Sequence, residues 1–262
     1  MKVTVIIPAR YASSRFPGKP LALISGKPMV WHVYERASKA SLVDEVFVAT
    51  EDHRVEECVK NFDGKVVMTS SNHQSGTDRM AEVAKNISSD IFINVQGDEP
   101  LISPDLIDQV ASALINSEKT VMSTARIPFK TKEDFLNPNM VKVLCDQEGY
   151  ALYFSRYPIP FLRKTWTETR NWNDLLGSYS LSHIEEAHVQ KHLGIYGFKR
   201  QLLLNFSSWT PTSLEKMEEL EQLRALEHGV KIKVVTTTHE SVAVDTPEDL
   251  KKVNELFSPK HS

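Results

Sequence analysis

Short apolar runs alternating with segments of helical periodicity predict an α/β protein: a Rossmann-like, doubly wound, mostly parallel sheet with helices on both faces. Two observations carry that expectation. Residues 3–9, 43–50, 65–69 and 91–95 are apolar runs of strand length. The segments between them repeat apolar residues at helical spacing, as Met29, Val30, Val33, Tyr34 and Ala37 do. The chain has 262 residues, 41% of them hydrophobic, enough for one large core or a core with a small appended subdomain.

Taken in order, the first strand (3–9) leads through a loop to a helix over 29–40. A second strand (43–50) and a short helix (52–61) follow, the helix turning Val55, Cys58 and Val59 inward. The third strand is 65–69. Thr77 is a plausible N-cap for a helix over 77–86, and 91–95 is the fourth strand. Ser103-Pro104 starts a helix whose stripe is Leu106, Ile107, Val110 and Leu114. Strand-like runs recur at 120–127, 141–145, 151–155 and 193–198, and the last two are expected in a mixed extension of the sheet. Thr212 with Glu215 forms a capping box for a helix running through Leu226. A strand at 232–237 precedes a C-terminal helix capped by Thr246-Pro247-Glu248-Asp249. Residues 163–190 mix Trp166, Trp172, Tyr179 and leucines with charges and show no period; an intersubunit arm and a lid are both open for them.

A net charge of −3 gives no global bias toward nucleic acid or membrane, so any anion site must be local. No 18-residue apolar stretch occurs, and the N-terminal apolar run ends in Pro-Ala-Arg, unlike a signal peptide. A cytoplasmic protein is expected. Cys58 and Cys145 have no metal-like spacing and are expected to be reduced and inert.

The loop after the first strand supplies the local charge. Residues 8–20 (PARYASSRFPGKP) hold Arg10, Arg15 and Lys19, two hydroxyls (Ser13, Ser14), two prolines and a glycine beyond the opening proline. Cations spaced along a stiffened loop suit a polyphosphate, each reaching a different oxygen. The loop is neither a Walker A sequence nor G-x-G-x-x-G. Asp98 (NVQGDEP) leaves the fourth strand, which in a doubly wound order flanks the switch point together with the first. A carboxylate facing the polyphosphate that those cations would hold is repulsive unless a hard cation bridges it to phosphate, a role that suits Mg2+; a plain Gly-Asp turn is the other reading. Asp245 (VDTPEDL) can be a helix-start carboxylate. Ser75-Gly76-Thr77-Asp78-Arg79 opens a helix whose N–H groups, with Arg79, could hold a nucleotide. His192 and Tyr196 fall on one strand face with Gly194 between them, leaving room for a ligand.

PARYASSRFPGKPL, SGTDR, NVQGDEP, YALYFSR, KHLGIYGF, LEQLRALEHG and VDTPEDL occur in that order along nearly the whole chain. In this the sequence resembles the 3-deoxy-manno-octulosonate cytidylyltransferases. The resemblance implies a nucleotidyltransferase-type domain over 1–262, with 150–210 as a mixed sugar-binding and dimerisation insertion. It implies transfer of CMP from CTP to the eight-carbon sugar acid Kdo, with release of pyrophosphate, for lipopolysaccharide assembly. Arg10, Arg15, Lys19, Ser75, Arg79 and Gln96 fall to the nucleotide, and Arg156, His192, Tyr196 and Gln222 to the sugar. Asp98 and Asp245 become the metal pair for Mg2+; with Arg10 and Lys19 they form the catalytic set. A homodimer is implied too. Two alternatives stay open: the same reaction on the 8-amino sugar, and a nucleotide-binding regulatory module without catalysis. One departure stands out. Many members have Gly before Val-Asp-Thr, whereas this chain has Ala243, which narrows the backbone options beside Asp245 and leaves room for a variant sugar.

Overall fold

The computed structural model describes residues 1–12, 16–73, 75–240 and 242–257. The strands are β1 (Val3–Pro8), β2 (Leu23–Ile24), β3 (Lys27–Pro28), β4 (Glu45–Thr50), β5 (Val66–Met68), β6 (Ile91–Asn94), β7 (Met122–Ile127), β8 (Lys142–Cys145), β9 (Ala151–Ser155), β10 (Gln190–Lys199) and β11 (Ile232–Thr236). The helices are α1 (Met29–Ala37), α2 (His53–Lys60), α3 (Gly76–Asn86), α4 (Pro104–Ile115), α5 (Lys132–Leu136), α6 (Arg163–Thr169), α7 (Trp172–Ser178), α8 (Leu181–Glu186), α9 (Arg200–Phe206), α10 (Ser213–Glu218), α11 (Gln222–Glu227) and α12 (Pro247–Phe257).

The main sheet has the order β11-β7-β10-β6-β1-β4-β5, with the β8–β9 hairpin paired off β10. β1 lies parallel to both β4 and β6, β4 to β5, and β7 to β11; β10 is antiparallel to its neighbours. From β1 the chain winds one way through β4 and β5 and then crosses to β6 on the other side. β1 and β6 therefore flank the switch point, and their carboxyl ends open onto it.

Both faces are covered, which explains why β1 is apolar throughout. Val3, Val5 and Ile7 pack with α1, α2 and α4, while Ile6 packs on the opposite face with α3, α9 and α11. Caps set where the helices begin. Asp52 accepts from Arg54 N at α2, and Ser75 and Asp78 form a reciprocal capping box at α3. The α3 cap is thus Ser75, two residues before Thr77, because Asp78 rather than a later residue supplies the returning carboxylate.

Two further expectations are corrected by tertiary packing. Residues 193–198 belong to β10, inserted in the heart of the sheet between β6 and β7, and the extension is the β8–β9 hairpin. The helix expected through Leu226 is two helices, because Glu219 takes a left-handed conformation (φ 51°) and ends α10. Residues 163–190, aperiodic in sequence, fold as α6, α7 and α8. Leu175, Tyr179 and Ile184 are buried there, and Tyr179 and Ile184 pack with Phe129 and Phe135 in a satellite core. Among the described residues no helix is long and apolar enough to cross a membrane.

Candidate active site

The site lies over the carboxyl ends of β1 and β6. Gly97 lets these ends meet: a Cβ there would lie 2.6 Å from the Pro8 carbonyl oxygen, so only glycine fits. The loop after β1 closes where Gly18 N donates to Tyr11 O (2.9 Å). Gly18 has φ 73°, and its turn starts a short 3-10 segment at Lys19. Lys19 Nζ lies 2.6 Å from Asp98 Oδ2 and 3.2 Å from Asp245 Oδ1. Three residues far apart in sequence thereby share one point.

Asp245 is delivered by two devices. Val244 N donates to the Asp98 carbonyl (2.8 Å), and the buried Val244 side chain packs with Ile24, Met29 and Val253. Asp249 then accepts from Thr246 N (3.1 Å) and Thr246 Oγ1 (2.9 Å), a cap that leaves the Asp245 carboxylate outside α12. Ala243 is exposed and has no left-handed backbone, so alanine is unstrained where glycine was expected.

Arg10 opens the loop after β1. Its Nη2 is buried and has no hydrogen-bond partner among the described residues. Arg79 is 1% exposed, so it is no surface arginine. It pairs with Glu51 (2.8 Å) and donates to Thr69 Oγ1. Burial lowers the Arg79 pKa; Glu51 opposes the shift and the nearby Arg10 charge adds to it. Glu51 also accepts from Tyr11 N (3.2 Å). The single carboxylate of Glu51 is therefore engaged by Arg79 and the Tyr11 amide, and Arg10 keeps an orphaned donor. Arg15 lies outside the described residues, as do Ser13 and Ser14.

A second group lines β10. Gln96 Nε2 donates to Gly194 O (3.3 Å), and a Cβ at Gly194 would meet only open space. His192 and Tyr196 have ring centroids 5.4 Å apart, and Phe154 meets the His192 ring edge-on at 4.9 Å. The strand is irregular between Leu193 and Tyr196, so the shared face arises through a bulge rather than simple alternation. Burial lowers the His192 pKa to about 3 and raises that of Tyr196, with the Glu221 carboxylate adding to the second shift. Both side chains are therefore neutral polar groups near pH 7.

Glu221 ties the two ends together. Its carboxylate accepts from Thr77 Oγ1 (2.7 Å) and Ser75, and burial raises its pKa. Ser75 is thus engaged by Asp78 N and Glu221. Gln222, 3% exposed, has a buried amide nitrogen without a partner. Arg156 is placed differently from a free carboxylate clamp. Its guanidinium donates to the carbonyls of Glu218 (2.6 Å), Pro138 (3.2 Å) and Glu219 (3.2 Å), closing the C-terminus of α10. Beneath it, Lys142 Nζ donates to Asn137 O (2.9 Å) and Arg156 O (2.8 Å).

Several of these residues escape sequence reasoning. Glu221 sits inside LEQLRALEHG, beside the singled-out Gln222, and only that adjacency could have flagged it. Glu51, Lys142 and Glu218 look like ordinary surface charges in sequence, since their partners lie far along the chain. His73 pairs with Glu82.

The donor set suits a hard divalent cation. Two carboxylates converge on one positive charge, and among the described residues no cluster of three or more His, Cys, Asp or Glu forms a cage. Phosphate and water oxygens would complete the shell, as Mg2+ requires.

The Cytidylyltransferase family matches residues 4–232. A 3-deoxy-manno-octulosonate cytidylyltransferase of Geobacter sulfurreducens is 52% identical over 255 residues, covering 97% of this chain and 99% of the relative. One from Geotalea daltonii is 53% identical over 260 residues, covering 99% and 100%. The solved structure of a CMP:2-keto-3-deoxy-manno-octonic acid synthetase complexed with CTP superposes with a TM-score of 0.87 at 40% identity, covering 98% of each chain.

Proposed function

The chain belongs to the cytidylyltransferase family, and we propose how its residues divide the transfer of CMP from CTP to 3-deoxy-manno-octulosonate. The observation that carries the reading is the meeting of Asp98 and Asp245 on Lys19 at the switch point, at the end of a loop that opens with the orphaned donor of Arg10.

Asp98 and Asp245 would hold Mg2+, which when bound supplies positive charge to the phosphate oxygens and lowers the pKa of the attacking hydroxyl. Lys19, relieved of the two carboxylates once they hold that cation, has its Nζ for phosphate oxygens. Arg10 Nη2, with no hydrogen-bond partner among the described residues, offers its donor to the triphosphate. Arg15 extends the same cationic loop. Arg79, held by Glu51, adds a buried positive charge near that of Arg10. Ser75 and Gln96 border the nucleotide at the start of α3 and the end of β6.

The sugar's anomeric hydroxyl oxygen attacks the α-phosphorus in line. A new O–P bond forms, the hydroxyl proton passes to solvent water, the bond to the bridging oxygen breaks, and pyrophosphate leaves with that electron pair. No side-chain nucleophile is needed; positioning and charge neutralisation do the work. His192, Tyr196 and Gln222 are neutral polar groups and suit a polyhydroxylated ring. Arg156 contributes positive charge for the sugar carboxylate while it closes α10. The 150–210 segment is the sugar-binding and dimerisation part of this reading. A homodimer is supported by the Phe161–Trp166–Trp172 cluster, in which Trp172 is 54% exposed. A cytoplasmic location fits the need for CTP.

The test is pyrophosphate release from CTP and Mg2+ with Kdo and its 8-amino analogue offered separately. Release with Kdo is expected. CTP binding without release on either sugar would replace catalysis with a regulatory role.

A further inference from the structure

One side chain outside the expected site controls the chemistry of another within it. Thr124, fully buried on β7, has its Oγ1 2.9 Å from His192 Nε2, 2.8 Å from the Ile195 carbonyl and 3.2 Å from the Leu193 carbonyl. The bulge between Leu193 and Tyr196 brings both carbonyls to the same hydroxyl. A threonine hydroxyl has one proton, and a carbonyl oxygen can only accept. If that proton went to His192 Nε2, both carbonyls would face hydroxyl lone pairs at close range with no proton between them. If it goes to a carbonyl, the hydroxyl oxygen is free to accept, and Nε2 must donate to it. The second arrangement makes two hydrogen bonds where the first makes one.

The other ring nitrogen then carries a lone pair. His192 Nδ1 has no hydrogen-bond partner among the described residues, and the residue is 9% exposed. The imidazole faces the Tyr196 ring, with centroids 5.4 Å apart, and Gly194 lies between the two residues in β10. Phe154, edge-on to the imidazole, holds the ring in this orientation. Burial keeps the ring neutral well below pH 7.

We propose that Thr124 is a positioning residue that fixes His192 as the Nε2–H tautomer, so that Nδ1 accepts a hydrogen bond from a hydroxyl of the sugar acid. The identity of the ligand rests on the function proposed above; the tautomer does not. A protonated or Nδ1–H imidazole would turn a donor toward that hydroxyl and lose the contact.

The test uses the whole chain with 15N-labelled histidine and two-bond 1H–15N spectra recorded without substrate. His192→Gln identifies the His192 signals among the nine histidines. The expected result is a lone-pair-type Nδ1 and a protonated Nε2, unchanged across neutral pH. Thr124→Ser should keep that signature. Thr124→Val should give mixed tautomers and raise the KM for the sugar roughly three- to tenfold, the range for one lost hydrogen bond, with the KM for CTP unchanged. A protonated Nδ1 in the parent protein would overturn the proposal without any variant. So would a Thr124→Val protein with the parent spectrum, or one with an altered spectrum and an unchanged sugar KM. Failure of the parent enzyme to release pyrophosphate with Kdo would sink the proposed function instead, while the substrate-free spectrum would still decide the tautomer.

Discussion

The two ends of the site are built on opposite principles. At the proposed phosphate end the groups are charged and their partners can be exchanged: Lys19 shares two carboxylates, and Arg10 Nη2 has no hydrogen-bond partner among the described residues. At the sugar end His192 and Thr124 are buried, polar and mutually engaged, while Tyr196 beside them is held as a neutral phenol. A triphosphate brings its own charge and can compete for charged partners. A sugar brings only hydroxyls and one carboxylate, so its site must be fixed before it arrives.

The largest expected effect tests the exchangeable end. Asp98→Asn and Asp245→Asn should each lower pyrophosphate release by about a thousandfold, because each removes half of the proposed cation's carboxylate set. Thermal stability should hardly move, since a partly exposed ion pair contributes about 1 kcal/mol or less. Strong unfolding with modest loss of activity would reverse the comparison and make the carboxylates structural.

Arg10 and Arg79 give the sharpest contrast. Arg10→Met should raise the KM for CTP by roughly ten- to a hundredfold, yet leave stability unchanged or improved, because a buried unpaired donor disappears. Arg79→Met should instead destabilise the fold by about 3 kcal/mol, since Glu51 is left without its counter-ion. Chemical denaturation beside CTP kinetics reads both. Equal losses of stability would mean that Arg10 is a structural cation like its neighbour.

The same division decides what the sequence reveals. Cations in a Gly/Pro loop, a Gly-Asp after a strand and an Asp before Thr-Pro-Glu-Asp are local patterns, so Arg10, Lys19, Asp98 and Asp245 are visible as candidates. The parallel strands and the switch point follow from alternating apolar runs. Thr124, Lys142 and Glu221 carry no such mark. Their roles arise from partners 68, 14 and 144 residues away, respectively. The central position of β10 was hidden for a related reason: the strand is obvious, but its neighbours β6 and β7 are chosen by tertiary packing. Arg156 was legible as a cation, whereas its closure of α10 depended on the unforeseen break at Glu219.

Arg156 therefore predicts an intermediate effect that joins both ends of the comparison. Arg156→Ala should lower stability by about 1–3 kcal/mol by stripping the α10 carbonyls of their donor. It should also raise the KM for the sugar more than that for CTP. A variant with intact stability and a raised sugar KM would show a purely ligand-directed arginine.

The smallest effect is a slope with pH. Burial lowers the Lys142 pKa from 10.5 to about 8; the Arg156 charge adds to the shift and Glu218 opposes it. The unfolded chain keeps this proton up to about 10.5, so between those values it binds more protons than the folded protein. Stability must then rise with pH across that window, as the cost of a buried ammonium is relieved. Lys142→Met should be less stable overall, because the Asn137 and Arg156 carbonyls lose a donor, but it should lack this titration. The stability advantage of the parent over Lys142→Met should therefore widen from pH 7.5 to 10, measured by urea denaturation at each pH. A constant gap would mean that Lys142 titrates as a solvated lysine and that its ammonium carries no burial cost in the folded protein.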